Sequence, residues 1–406
     1  MVNSAAIAVI IALVGCGESS SSTEGALFSQ TPAQRIATSD DFNQSLLLES
    51  LTDNVILPTY TKFAASVITQ ETAIGSYCDA LTSQTTDIAA KNITAKQSWR
   101  DAMGVWQLAE VMQIGPLLDN NSSLRNNIYS WPNTSACALD QDVVLAEQAD
   151  YDITVRTASR KGLDAIEYLL FNPNLNHSCT VFGTEPQGWN NRTDQDRTLA
   201  RCKLAKVVAT DLIDKSEQLL AAWKGDASVQ GYADILKNAG EVNSIFNDVH
   251  AAVNDVTDAI FYVETFTKDA KLATPLGVFA NDCGLTPCVD NVESRFAFNS
   301  LQNIISNIQG LNMMFLGGET DENVGFEDYL LDVGAVDTAT QMRGDLSNVI
   351  EFSLGLQQSL TELLAQDPEQ VQQVHDQLKK VTDNMKTDFI QSLALELPAT
   401  SAGDND

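Results

Sequence analysis

Apolar residues recur every third or fourth position through most of this chain, and the alternation that makes a strand is nearly absent. A chain patterned this way buries helix against helix, so an all-α fold of two packed helical bundles is expected. Helical runs are expected over 40–80, where Pro58 kinks or restarts the helix, and over 94–114, closed by Gly115-Pro116. A short helix ends at Trp131-Pro132, and another covers 141–149. After a central helix come a polar loop at 172–193 and a long helix over 194–223. The second half repeats the style over 229–267, 291–309, 337–364 and 368–395. Lys224-Gly225-Asp226 is the best boundary, dividing a first bundle (40–225) from a second (226–397), with a disordered tail at 398–406.

The central helix is Gly162-Leu163-Asp164-Ala165-Ile166-Glu167-Tyr168-Leu169-Leu170-Phe171, with Ser159 as its expected N-cap. Leu163, Ile166 and Leu170 share one face. Asp164 and Glu167, spaced i, i+3, can touch the same object on a half-buried helix. Two such acids need a cation, a proton or a basic partner, unless Arg160 simply pairs with Asp164 on the surface.

A second acid sits in a different pattern. Trp99, Met103, Trp106 and Glu110 fall at i, i+4, i+7 and i+11, which is one stripe of a helix. Glu110 either is paired inside or reaches water at the helix end. The residues Gly325-Phe326-Glu327-Asp328-Tyr329-Leu330-Leu331 weakly echo the central helix.

The net charge of −30, from 54 acids against 24 bases, argues against nucleic acid and anionic membrane surfaces as partners. At the N-terminus an apolar run from Ala5 to Val14 is too short to span a bilayer and suits a signal peptide over 1–15. It ends Leu13-Val14-Gly15-Cys16, which resembles the bacterial lipobox, so Cys16 is the expected lipidation site and 16–39 a flexible tether. No Lys or Arg precedes the run. Gly17 in place of Asp resembles lipoproteins sorted to the outer membrane. The expected location is the bacterial periplasm, with membrane contact through the N-terminal lipid only.

Six further cysteines in an exported chain imply disulfides, with 15 connectivities open. Cys283 and Cys288 close a short local loop, Cys179 with Cys202 would clasp the segment after the central helix, and Cys78 and Cys137 remain.

Several of these stretches occur in one order: Asn54-Val55-Ile56-Leu57-Pro58-Thr59-Tyr60, Trp99 through Glu110, Gly115-Pro116, Trp131-Pro132 and Gly162-x-x-Ala165-Ile166-Glu167-Tyr168-Leu169-Leu170. Together they resemble the imelysin-like family of bacterial periplasmic lipoproteins. Glu293-Ser294 and Phe298-Asn299-Ser300 are similar to a weaker pattern of the family's second half. The resemblance implies a two-domain all-α fold with a cleft near a Gly-x-His-x-x-Glu helix. It also implies metal binding, iron-linked uptake and, for some members, peptidase activity. Here the histidine of that motif is Asp164, while Gly162 and Glu167 match. Carboxylate favours hard cations bound through oxygen, so the expected site is Asp164, Glu167 and Glu110 around one divalent or ferric cation, Ca, Mn or Fe. Trp99, Trp106 and Tyr168 are expected to line the cleft.

Three functions compete: an envelope lipoprotein binding a metal ion or metal-bearing ligand, with an envelope transport partner; a metallopeptidase using Glu167; and a scaffold for partner proteins. Zinc catalysis normally uses three protein ligands, and the chain has only His177, His250 and His375, with no H-E-x-x-H. Each histidine reads better as an ordinary surface or hydrogen-bonded residue. Binding without catalysis is the preferred expectation.

Overall fold

The computed structural model describes residues 42–401, apart from 181–183, 319 and 321–322. The expected signal peptide, lipidation site Cys16 and tether lie outside the described residues, as do residues 402–406 of the tail expected from 398; at its start the Ser401 amide donates to the Pro398 carbonyl at 2.9 Å. Among the described residues the fold is all helix, with two isolated bridges and no strand. No helix among them is long and apolar enough to cross a membrane.

The first expected run is one continuous element. Helix α1 (Gln44–Ser50) passes through a π turn (Leu51–Ile56) into α2 (Leu57–Ser83). Pro58 sits in the first turn of α2, where the π turn has just shifted the hydrogen-bond register, so its missing N–H breaks nothing. Helix α3 (Ile88–Ala109) starts earlier than expected and tightens into a 3-10 turn at Glu110–Met112 before Gly115-Pro116. Next come α4 (Asp119–Ile128), whose Asn120, Asn121 and Ser122 are left-handed, α5 (Ala136–Leu145), the central helix α6 (Gly162–Phe171) and the long α7 (Asp194–Lys224). The expected boundary is where α7 ends, on Gly225 with φ of 66°.

The second half is more broken than its pattern suggests. Residues 238–248 separate α8 (Tyr232–Lys237) from α9 (Val249–Ile260), and a π-helix (Val263–Ala273) follows. The run expected over 291–309 is helical only as α10 (Ser300–Leu316), because 292–299 leaves to dock on the first half. Beyond it lie α11 (Phe326–Asp332), α12 (Val336–Gly355), α13 (Leu360–Gln366) and α14 (Pro368–Asn384). The echo of the central motif is helix α11, where Glu327 pairs with Arg343.

Helix α2 packs between α3 and α7, and α3 in turn packs on α10 across the two halves. A Cβ at Gly310 would lie 2.6 Å from the Leu108 carbonyl oxygen, so the backbones of α10 and α3 touch there. One apolar core runs from Leu47 to Leu395 through both halves. Trp99, Trp106, Trp189 and Trp223 are fully buried in it, each removing a large area from water.

The cysteine pairing corrects the expectation. Cys78 bonds Cys202 and Cys137 bonds Cys179, rather than Cys78 with Cys137 and Cys179 with Cys202; Cys283 bonds Cys288 as expected. The reason is packing: α2 lies along α7, which brings Cys78 to Cys202, while the loop after α6 folds back onto α5.

Candidate functional site

The central helix is fixed from below and behind. Its start, Gly162, has φ of 74°, and a Cβ there would lie 2.2 Å from the Ile128 carbonyl oxygen, so only glycine lets the two segments cross. The cap position is Lys161; Ser159 instead belongs to a preceding 3-10 turn. The Trp99 indole donates to the Leu163 carbonyl at 2.8 Å, and its ring packs on Phe171 at 5.0 Å. Nearly every side chain of α6 is buried, including both acids, where a half-buried helix was expected. Arg160 turns to Asp142 at 2.8 Å, so the surface pair with Asp164 does not form.

Above this helix lies a cleft of about 550 Å³. Trp131, Thr134, Asp164, Glu167 and Tyr168 supply one wall, and Asp290, Glu293, Arg295 and Phe296 supply the other. Of the residues expected to line it, Tyr168 does. Trp99 and Trp106 do not: they are fully buried in the core beneath, Trp106 against Phe63 at 5.1 Å.

Asp164 is held by hydroxyls. Its Oδ2 accepts from Ser130 Oγ at 2.5 Å and from Thr134 Oγ1, and its Oδ1 from the Ser130 amide at 3.4 Å. Burial raises its pKa, with these hydrogen bonds opposing. Glu167 reaches the other wall, where Oε1 accepts the amides of Phe296 at 2.9 Å and Ala297 at 3.0 Å. Burial pushes its pKa up to about 8, the two amides pull against it, and the charges of Glu293 and Asp164 add to the rise. At neutral pH this carboxyl is mostly protonated.

Tyr168 is positioned by a buried ion pair. Its hydroxyl donates to Asp140 at 2.8 Å, and Asp140 faces Arg201 at 3.2 Å. Asp140 also accepts from Ser178 N at 2.7 Å and Ser178 Oγ at 2.9 Å, which ties the loop after α6 to the cleft wall.

Glu110 lies apart from Asp164 and Glu167 in its bonding. It is fully buried, and its Oε2 meets Lys271 Nζ at 2.7 Å. The same ammonium meets Glu293 Oε1 at 2.9 Å, Gln107 Oε1 at 2.6 Å and Asn307 Oδ1 at 2.9 Å. Glu110 thus carries its counter-charge already, and the three-carboxylate arrangement expected around one ion does not form. Among the described residues no three His, Cys, Asp or Glu side chains converge as ligands of one metal. The residues present do not fit a bare ion held by the protein alone.

None of the three histidines lines the cleft. His177 faces Glu185, His250 contacts Gln44 and the Ala394 carbonyl, and His375 lies beside Asp376. Lys271, Gln107, Asn307, Ser130 and Thr134 were not anticipated. The signal for Lys271 was the buried Glu110 itself, which demands a cation without saying from where.

The Imelysin family model (peptidase M75) matches residues 56–387. Iron-regulated protein A of Synechococcus elongatus is 25% identical over 274 residues, which are 68% of this chain and 65% of that protein. The crystal structure of a protein from Parabacteroides distasonis, described as an iron-regulated protein A precursor, superposes with a TM-score of 0.65 at 18% identity. That match covers 86% of this chain and 94% of the other. An imelysin-like protein from Psychrobacter arcticum superposes with a TM-score of 0.62 at 14% identity, covering 87% and 96%.

Proposed function

This chain belongs to the imelysin family, and on that premise we propose that it is a cell-envelope protein whose cleft binds a cationic, metal-bearing small ligand. The observation that carries this reading is the charge of the cleft. Asp164, Asp282 and Asp290 line it beside Glu293, whose charge Lys271 shares, and the protonated Glu167, against Arg295 as the one basic side chain among its described lining residues. Low-dielectric walls of one sign concentrate ligands of the other. The volume supports a molecule over a bare ion: about 550 Å³ lies within the range of small-molecule sites, whereas a water-sized occupant needs roughly 10–15 Å³. Trp131, Tyr168 and Phe296 add apolar surface for the organic part of such a ligand. The relative's name, iron-regulated protein A, together with the iron-linked uptake that the family resemblance implies, makes iron the leading candidate for the metal.

The proposal includes an N-terminal lipid on Cys16 and a periplasmic location at the outer membrane. Leu13-Val14-Gly15-Cys16 supports the anchor, and three disulfides suit an oxidising compartment.

Purification from the native envelope, followed by mass spectrometry and elemental analysis, tests the reading. A stoichiometric metal-bearing molecule is expected, with its recovery reduced in Asp164→Asn. A folded Asp164→Asn protein carrying the same load, or a wild type carrying none, would sink it.

One observation favours a second reading, hydrolysis. A carboxyl with a pKa near 8 at the base of a cleft suits general acid–base work at neutral pH. Peptide cleavage that persists through purification and disappears in Glu167→Gln would put this reading first.

A further inference from the structure

We propose that the cation demanded by the acids beneath the cleft is the chain's own. Lys271 fills a four-oxygen cage, drawn from both halves, that would otherwise take a hard cation. The cage is two carboxylates, Glu110 and Glu293, and two side-chain amide oxygens, Gln107 and Asn307, at 2.6–2.9 Å from Nζ. All five residues are buried. An oxygen-only donor set of this kind is what calcium or manganese selects. The spacing is that of charged N–H···O bonds, at or beyond the long end of the metal–oxygen range of about 2.0–2.6 Å.

The cage is pre-oriented. Asn307 Nδ2 donates to the Gln107 carbonyl at 2.7 Å, which turns its Oδ1 toward Lys271. Gln107 Nε2 donates to Glu293 Oε1 at 3.2 Å, which turns its own Oε1 the same way. Glu293 is further fixed by the Tyr129 hydroxyl at 2.8 Å and by Asn303 Nδ2 at 2.8 Å. Two aromatic faces close the remaining directions: Nζ lies 5.3 Å from the Tyr262 ring centroid and 5.9 Å from that of Trp131.

Gln107 and Glu110 come from the first half, and Lys271, Glu293 and Asn307 from the second. The ammonium therefore pins the halves together directly under a wall of the cleft, since Glu293 and Trp131 both line it. Its role does not depend on which ligand the cleft takes.

The test uses chelator-treated full-length protein and thermal melting. Lys271→Met removes the charge and keeps the bulk, leaving two buried carboxylates face to face. It is expected to lower the melting temperature by about 5–10 °C. The triple variant Lys271→Met/Glu110→Gln/Glu293→Gln neutralises the whole cage and is expected to regain most of that loss. Lys271→Ala opens the cage, and millimolar calcium or ethylammonium should raise its melting temperature while leaving the wild type unchanged. A Lys271→Met protein that fails to fold beside a folded triple variant also supports the proposal. Equal losses in Lys271→Met and the triple variant, failure of both to fold, or a Lys271→Ala protein that gains nothing from either cation would overturn it.

Discussion

Glu167 Oε1 accepts the backbone amides of Phe296 and Ala297 from the opposite half, so one motif side chain holds the loop that forms the facing cleft wall. Arg100 supports the same loop from α3, donating to the Ala297 carbonyl at 3.2 Å. The glutamate is thus an acceptor for two amides before it is anything else.

Removing that acceptor should be costly, and replacing it should not. Glu167→Ala leaves one buried and one part-buried amide without a partner and is expected to cost about 2–4 kcal/mol. Glu167→Gln keeps a carbonyl oxygen in place and is expected to cost under about 1 kcal/mol. Urea unfolding of both variants, with amide exchange read at Phe296 and Ala297, checks the difference. Equal costs would mean the loop is held by other contacts.

The same residue predicts a pH dependence of definite sign. Folded, Glu167 keeps its proton to about pH 8; its ordinary value is 4.5. Between those values the folded state binds more protons than the unfolded chain, so stability falls as pH rises through the window. Asp164, also raised by burial, acts in the same direction. The slope from one such group is on the order of 1 kcal/mol per pH unit. Urea midpoints from pH 5 to 8 should decline more steeply in the wild type than in Glu167→Gln. Parallel curves for the two proteins would contradict this.

The disulfides should differ in weight. Cys78–Cys202 spans 124 residues, and its removal is expected to cost about 4–5 kcal/mol. Cys283–Cys288 spans 5 residues and constrains the unfolded chain least, at about 2 kcal/mol. Paired Cys→Ala variants measured in urea give the ranking. Peptide mapping without reductant should recover Cys78 with Cys202 and Cys137 with Cys179.

Gly162→Ala places a methyl group against the Ile128 carbonyl in a backbone conformation that side chains rarely adopt. A loss of at least about 2 kcal/mol is expected, with the cleft distorted because Ser130 and Asp164 stand on the two crossing segments. Gly104, where a Cβ meets nothing, is the control: Gly104→Ala should be neutral or slightly stabilising. A thermal melt of each settles the comparison.

The helical character was legible because period is a local property; α6 and α7 lie close to where the apolar spacing puts them. The acids of α6 were legible as a pair in need of a partner; burial creates that need, and hydroxyl donors at Asp164 and a retained proton at Glu167 answer it. What local pattern cannot encode is which distant residue arrives. Lys271 lies 161 positions from Glu110, and nothing in the spacing of either names the other. The cysteine pairing failed for the same reason, since it depends on which helices lie side by side. Residues 292–299 fall within the run expected to be helical, yet they depart from helix to present Phe296 and Ala297 to Glu167. A tertiary acceptor outcompetes the next turn of α10.

The contact at Gly310 bears on how the proposed ligand would enter the cleft. Where backbones of α10 and α3 touch, neither half can swing away without opening the shared core. If the cleft takes the proposed ligand, capture would need no jaw-like closing step, and loading in a single kinetic step is the expected outcome. In stopped-flow mixing, the observed rate would climb in proportion to ligand concentration without reaching a plateau, and residence time alone would distinguish tight cargo from weak.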